Sequence, residues 1–172
     1  MVLANENEES LVVDGSRNGV AAWLGLVGWI VLCFATAAAG ARFSPCDWFA
    51  QLHHPVFTPP NYVFGPVWSI LYLSMGVSAW MVWRTGPLSN TWQPLAFFIV
   101  QLTLNAVWSW LFFGLHRIEW ALIDIVLLLS VLTATIVSFH RKRRSASLLL
   151  MPYLVWVIFA SALNFEYWRL NG

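Results

Sequence analysis

The sequence predicts an all-α membrane protein, a bundle of five transmembrane helices, and three observations carry that reading. The first is composition: 59% of the 172 residues are hydrophobic and 10% are charged, against roughly 25% charged in a typical soluble domain. Such a chain has too few ionic groups to cover a surface that faces water. The second is a set of windows almost free of charge, each close to the roughly twenty residues that cross a hydrocarbon core of about 30 Å. The third is that these windows lack the polar–apolar alternation of barrel strands, and a backbone that cannot leave its polar groups unpaired in lipid must then cross as helix.

The elements follow in order along the chain. Residues 1–19, MVLANENEESLVVDGSRNG, are polar and mixed, the composition of a disordered tail ahead of a single domain over residues 20–172. The first span runs from Val20 to Ala41; a cleaved signal would carry basic residues before it, and Glu6, Glu8, Glu9 and Asp14 stand there instead. The second span is Phe64 to Trp83, the third Pro94 to Leu115 and the fifth Leu148 to Phe165, all without Asp, Glu, Lys or Arg. The fourth, Trp120 to Phe139, holds one charge, Asp124.

Basic residues orient the bundle. With five spans, Arg17, Arg84, Arg141, Lys142, Arg143 and Arg144 share one side, and Arg42, Arg117 and Arg169 share the other. The positive-inside rule then places the N-terminus inside and the C-terminus outside. The HRKRRS cluster around residues 140–145 orients the chain or touches anionic headgroups.

Several classes of chemistry are excluded. Cys33 lies mid-span and Cys46 in the loop beyond it, so both are expected as free thiols. His53 and His54 are neighbours in a loop, and neither His116 nor His140 stands at a metal-ligand spacing from them. No zinc signature, phosphate-binding loop or nucleophile elbow is present. No metal, required cofactor or nucleic-acid partner is therefore expected.

The informative polar groups sit inside the spans. On the third span Asn105, Trp108, Ser109 and Phe112 follow helical spacing and share a face. On the fifth, Tyr153, Trp156, Ala160, Leu163 and Asn164 do the same; on the second, Trp68, Tyr72 and Met75 line up; the fourth contributes Asp124. A polar side chain in lipid must face the bundle interior and find a partner. Asn105, Asn164 and Asp124 either bridge helices or line a cavity with aromatic walls, the makeup of a site for a large, flat, mostly apolar ligand. With twelve tryptophans in the chain, the cavity is the preferred reading.

The stretch HHPVFTPPNYVFGPVW, residues 53–68, then reads as a stiff cover for that cavity. Pro55, Pro59 and Pro60 fix φ in a segment that has no helical hydrogen bonds to hold it, and Pro66 falls in the first turn of the second span. Small residues Ala35, Thr36, Ala39, Gly40 and Gly114 allow close helix approach within or between protomers.

The blocks WFAQLHHPVFTPPNYVFGPVWSILYLSMG, QLTLNAVWSWLFFG with WALIDIVLLL, and LLLMPYLVWVIFASALNFEYWR, in that order, closely resemble the translocator protein and tryptophan-rich sensory protein family, also called peripheral benzodiazepine receptors. The resemblance spans roughly Val20 to Arg169. It implies a five-helix bundle, usually a homodimer, in a bacterial cell membrane or a mitochondrial outer membrane. It implies a loop closing a pocket that takes porphyrin or haem, and also sterols or benzodiazepine-type drugs.

Residue by residue, the resemblance assigns Trp68 and Asn105 to a ligand carbonyl, Trp156 and Ala160 to the fifth-span wall, and Trp48, Pro55, Pro59 and Pro60 to the cover. Phe49 stands where the family often has tyrosine, so a hydroxyl contact is lost. Trp108, Asp124 and Asn164 join the candidate site from the span faces, and Leu163, Tyr167 and Arg169 satisfy a loose sterol-recognition pattern. The expected function is binding of tetrapyrrole-like or lipid-like ligands as sensor, carrier or scavenger. The alternatives are light-dependent oxidative breakdown of bound porphyrin and a membrane adaptor with a lipid site. Asp124 is the only candidate catalytic base within a span.

Overall fold

The computed structural model describes residues 19–43 and 47–172. Apart from Gly19, the expected polar tail lies outside the described residues, as does Cys46. Helices α1 (Val20–Ala41), α2 (Asp47–Gln51), α3 (Asn61–Trp83), α4 (Leu88–Ser109), α5 (Ile118–Lys142), α6 (Arg144–Leu149) and α7 (Met151–Asn171) account for most of the described chain. A π-helical turn, Trp110–Gly114, continues α4. Five segments are long and apolar enough to cross a membrane: α1, α3, α4 with its π turn, α5, and α6 with α7. The protein is a multi-pass helical membrane protein.

Three helices begin earlier than their charge-free windows. Pro60, with ψ of 144°, ends the extended approach to α3, and the Val63 N–H bonds the Pro60 carbonyl. Pro66 is consequently the sixth residue of α3 and lies beyond its first turn, a correction to the sequence reading. Pro87 caps α4 in the same way, so the polar run Ser89 to Gln93 is helical before Pro94. The window opening at Leu148 resolves into short α6, a break at Leu150, and α7 with Pro152 in its first turn, where a missing N–H costs nothing.

The spans form a closed ring. Helix α1 packs on α3 and α4, α4 on α5, and α5 on α7, while aromatic side chains bridge α7 back to α3. Close approach depends on Gly76: a Cβ there would stand 2.9 Å from the Ile30 Cα, so only glycine lets α3 lie this tightly against α1. Gly40 and Gly114 are also occupied within the chain, facing Ser109 and the Phe43 and Trp110 rings. Ala35 and Ala39 stay on the exposed face of α1.

The bundle is solid at one end. Val82, Phe98, Leu132, Phe139 and Leu150 are each fully buried near the end that carries Gly19. There the Trp80 Nε1–H donates to the Ala22 carbonyl and the Ser78 hydroxyl donates to the Ala146 carbonyl, so α1, α3 and α6 are pinned together.

Candidate functional site

At the opposite end the ring of helices encloses a cavity of about 700 Å³. It begins at Phe34 on α1 and reaches only as deep as Tyr72 on α3, Asn105 on α4, Leu128 on α5 and Trp156 on α7, so the solid half of the bundle closes it below. Twelve of its lining side chains are aromatic and none is charged. The volume falls within the roughly 300–1,000 Å³ of small-molecule sites.

Helical spacing places the polar groups. Asn105, Trp108, Ser109 and Phe112 all line the cavity, and the π turn directs Phe113 there as well. This one-residue slip in the hydrogen-bond ladder leaves no mark in composition, so sequence reasoning could not find it; such turns recur at functional sites. Asn105 is clamped. Its Oδ1 accepts from the Tyr72 hydroxyl and its Nδ2 donates to the Tyr153 hydroxyl at 3.1 Å, which joins α4 to α3 and α7. A carboxamide nitrogen carries two N–H groups, so one is left for the cavity.

Trp68 differs from Trp108. The Trp108 Nε1–H donates to Asn164 Oδ1 at 2.8 Å, and Asn164 Nδ2 in turn donates to the Ile118 carbonyl, so this pair bridges α4, α7 and the start of α5. The Trp68 indole makes only ring contacts, with Tyr72, Tyr153 and Trp156 at 5.5, 6.3 and 6.4 Å between centroids. Its N–H has no hydrogen-bond partner among the described residues and belongs to a cavity wall. The site thus offers N–H donors from Trp68 and Asn105 inside an aromatic shell.

Other candidate residues fall elsewhere. Asp124 does not line the cavity; it is buried one residue away from Ile125, which does, and its Oδ2 has no hydrogen-bond partner among the described residues. The α5 face toward the cavity is Ile125 and Leu128, wholly apolar. Leu163 and Tyr167 turn inward onto the cavity, whereas Arg169 points out and pairs with Glu166 at 2.7 Å, so the three residues of the sterol pattern do not share one surface.

The α1–α3 connection lies against this end, and it is not free of helix: α2 forms within it, with Asp47 in its first turn suited to the N-terminal dipole. Phe49 and Thr58 line the cavity, while Pro55, Pro59 and Pro60 shape the backbone without lining it. Trp48 does not line the cavity but packs edge-on to Phe112, which does, and stacks on His116 at 4.2 Å; His116 itself adopts φ of 57°, an uncommon conformation at the α4–α5 turn. Asn171 reads the backbone of His53 in both directions, accepting from its N–H at 2.8 Å and donating to its carbonyl at 3.1 Å. The Tyr167 hydroxyl meets His54 Nδ1 at 2.7 Å. No sequence signal marks these contacts, which join residues 113 and 118 positions apart.

Five membrane-spanning helices around a blind, aromatic, uncharged cavity define a multi-pass membrane protein with an internal pocket of small-molecule size. A family model described as the TspO/MBR family matches residues 21–169. The chain is 42% identical to the "Tryptophan-rich protein TspO" of Archaeoglobus fulgidus, over 87% of this chain and 98% of that one. It is 42% identical to the protein of the same name in Chlorobaculum tepidum, over 83% and 92%. It is 34% identical to the "Translocator protein" of Bos taurus, over 87% and 91%. The chain belongs to the TspO/MBR family and is an integral membrane protein.

Proposed function

We propose that the cavity binds a large, flat, conjugated ligand that carries hydrogen-bond acceptors, with porphyrins as the leading class, and that the protein acts as a membrane sensor, carrier or scavenger of that ligand. The observation that supports this most strongly is the conjunction of an uncharged aromatic shell with the unpartnered indole N–H of Trp68. Apolar walls suit a ring system, and the half-buried Trp68 donor, once a ligand covers it, favours one that supplies a carbonyl or carboxylate oxygen over one that leaves it unpaired. The lining contains no His, Cys or Met, and its two tyrosine hydroxyls are engaged, Tyr72 with Asn105 and Tyr167 with His54, so its fit is to the ring more than to an iron atom inside it, and metal-free porphyrin is favoured over haem. A sterol shares the apolar shape but brings a single hydroxyl, and ranks second. The α1–α3 connection acts as the lid, held by Asn171 and Tyr167.

A second reading, light-dependent oxidation of the bound porphyrin by dioxygen, draws on the oxidisable Trp68, Tyr72 and Trp156 rings that line the cavity, with Tyr153 buried in contact with Trp68 behind them. Asp124, outside the lining, supplies no base to it. As partner we propose a second copy seated on α1, whose exposed face combines Ala35 and Ala39 with Val27 and Val31; crosslinking in native membranes that traps only monomers overturns it. Titration of detergent-solubilised protein with protoporphyrin IX in the dark, followed by tryptophan quenching, tests the main proposal. Saturable quenching without loss of the porphyrin band supports it, loss of the band in light supports the second reading, and absence of quenching contradicts both.

A further inference from the structure

The end of the bundle opposite the cavity carries a surface that ligand binding does not use. Helix α5 finishes in His140, Arg141 and Lys142; Arg143 breaks the helix in an extended conformation; and Arg144 opens α6. All five side chains are exposed. Neither of the ion pairs among the described residues involves Arg141, Lys142, Arg143 or Arg144, so these four cations have no acidic partner there. Charges at a helix C-terminus are favourable and common, and by themselves they would say no more than how the chain is oriented.

Two further features make this a built surface. The first is rigidity: Ala146 and Ser147, directly after the cations, are buried, the Ala146 carbonyl accepts from Ser78 at 2.7 Å, the Ser147 hydroxyl donates to the Arg144 carbonyl at 2.8 Å, and His140 Nδ1 lies 3.2 Å from that hydroxyl. The turn that presents the charges is therefore fixed to the core of the bundle. The second is an apolar shoulder: Leu148 is 65% exposed and Met151 40% exposed, one turn further along toward the hydrocarbon. Cations at the membrane face beside aliphatic side chains that continue into it match a molecule with an anionic head and an acyl tail.

We propose that the α5–α6 turn is a binding site for an anionic phospholipid of the adjoining leaflet, its phosphate held by Arg141, Lys142, Arg143 and Arg144 and its acyl chain lying on Leu148 and Met151. Arginine suits this role, because its planar fork meets phosphate oxygens in pairs. A free phosphate ion would use the cations but not the shoulder.

The test is a lipid titration of the detergent-solubilised full chain, read by melting temperature and by lipid adducts in native mass spectrometry. Phosphatidylglycerol should raise the melting temperature and form a discrete adduct, and phosphatidylcholine should do neither. Replacing Arg141, Lys142, Arg143 and Arg144 together by glutamine should weaken phosphatidylglycerol binding roughly 100-fold or more, as loss of four juxtamembrane charges demands; Arg117→Gln on the opposite face should leave it unchanged. Should the quadruple variant insert wrongly or fail to fold, Leu148→Ser keeps every charge and should still weaken binding roughly three- to tenfold. Equal stabilisation by phosphatidylcholine or by inorganic phosphate overturns the proposal, and so does full binding by the quadruple variant or by Leu148→Ser. A response that appears only after residues 1–18 are deleted assigns the surface to the acidic residues of that segment and overturns it as well.

Discussion

At the end that carries Gly19 the bundle is solid and cationic, whereas at the end covered by the α1–α3 connection it is hollow and carries charges of both signs. The solid end holds Arg84, Arg141, Lys142, Arg143 and Arg144 with no described acidic residue, over a core in which Phe98, Leu132 and Phe139 are fully buried. The hollow end sets Arg42, Arg117 and Arg169 against Asp47, Glu119 and Glu166, with two of the pairs in contact. Close packing of those side chains gives the five helices a fixed geometry; that geometry in turn keeps the other half of the bundle open although lipid-like matter could fill it. The ends divide the work, one specifying the fold and its seat in the membrane, the other presenting a pocket.

The division predicts opposite responses to added volume, and this is the largest expected effect. Ala146 is fully buried at the solid end, so Ala146→Phe should cost about 1–3 kcal/mol or more and lower the melting temperature sharply. Ala160 lines the cavity, so Ala160→Phe should leave the melting temperature unchanged and weaken porphyrin binding roughly tenfold or more. Paired melting curves and dark titrations check both, and equal destabilisation by the two variants would erase the distinction between the ends.

Asn105 stands where the two ends meet, and its replacement should register in both measurements. Asn105→Leu strands the Tyr72 and Tyr153 hydroxyls in the bundle interior, which should cost about 1–2 kcal/mol of stability, and it removes a cavity donor as well. The melting curve should fall and every ligand should bind more weakly. An unchanged melting temperature would show that the clamp contributes nothing to the fold.

Replacing Pro55, Pro59 and Pro60 together by glycine should act on the hollow end alone. Each change frees the unbound chain by about 0.4–1 kcal/mol of conformational entropy, so affinity should drop several-fold while helix content by circular dichroism holds. Full affinity in the folded variant would reduce the proposed lid to a plain connector. Smaller still, Tyr167→Phe removes the contacts to His54 and Thr58 and should speed ligand dissociation about two- to fivefold, a loss typical of one or two partly exposed hydrogen bonds. Stopped-flow displacement measures it, and an unaltered off-rate would detach Tyr167 from gating.

The five spans were legible because a lipid solvent permits so few charges that charge-free windows outline the helices by themselves. The face of α4 was legible too, since Asn105, Trp108, Ser109 and Phe112 recur at the spacing that a helix converts into one side. What the sequence concealed is of two kinds. Helix starts lie outside the apolar windows because Pro60 starts α3 at Asn61 and Pro87 starts α4 ahead of the largely polar stretch Ser89 to Gln93, which a search for apolar residues passes over. Partners were hidden because they are remote: the residues that clamp Asn105 lie 33 and 48 positions away, and nothing in local patterning shows that the Trp108 indole donates to Asn164 while the Trp68 indole finds no acceptor among the described residues. Asp124 was drawn into the site as a polar group in a span, yet its helix turns Ile125 and Leu128 to the cavity.

That difference between the two tryptophans carries the account, and Trp68→Phe examines it with least disturbance, since the ring remains and only the N–H and part of the indole area are lost. Dark titrations should compare protoporphyrin IX with a porphyrin of similar size that has no oxygen acceptors. The account predicts a melting temperature close to that of the unsubstituted chain and a loss of affinity for protoporphyrin IX of about tenfold, from one buried hydrogen bond of about 1–1.5 kcal/mol, with the acceptor-free ring much less affected. Equal losses for both ligands, or a fall in stability with no discrimination between them, would contradict the assignment of Trp68 as the donor that reads the ligand.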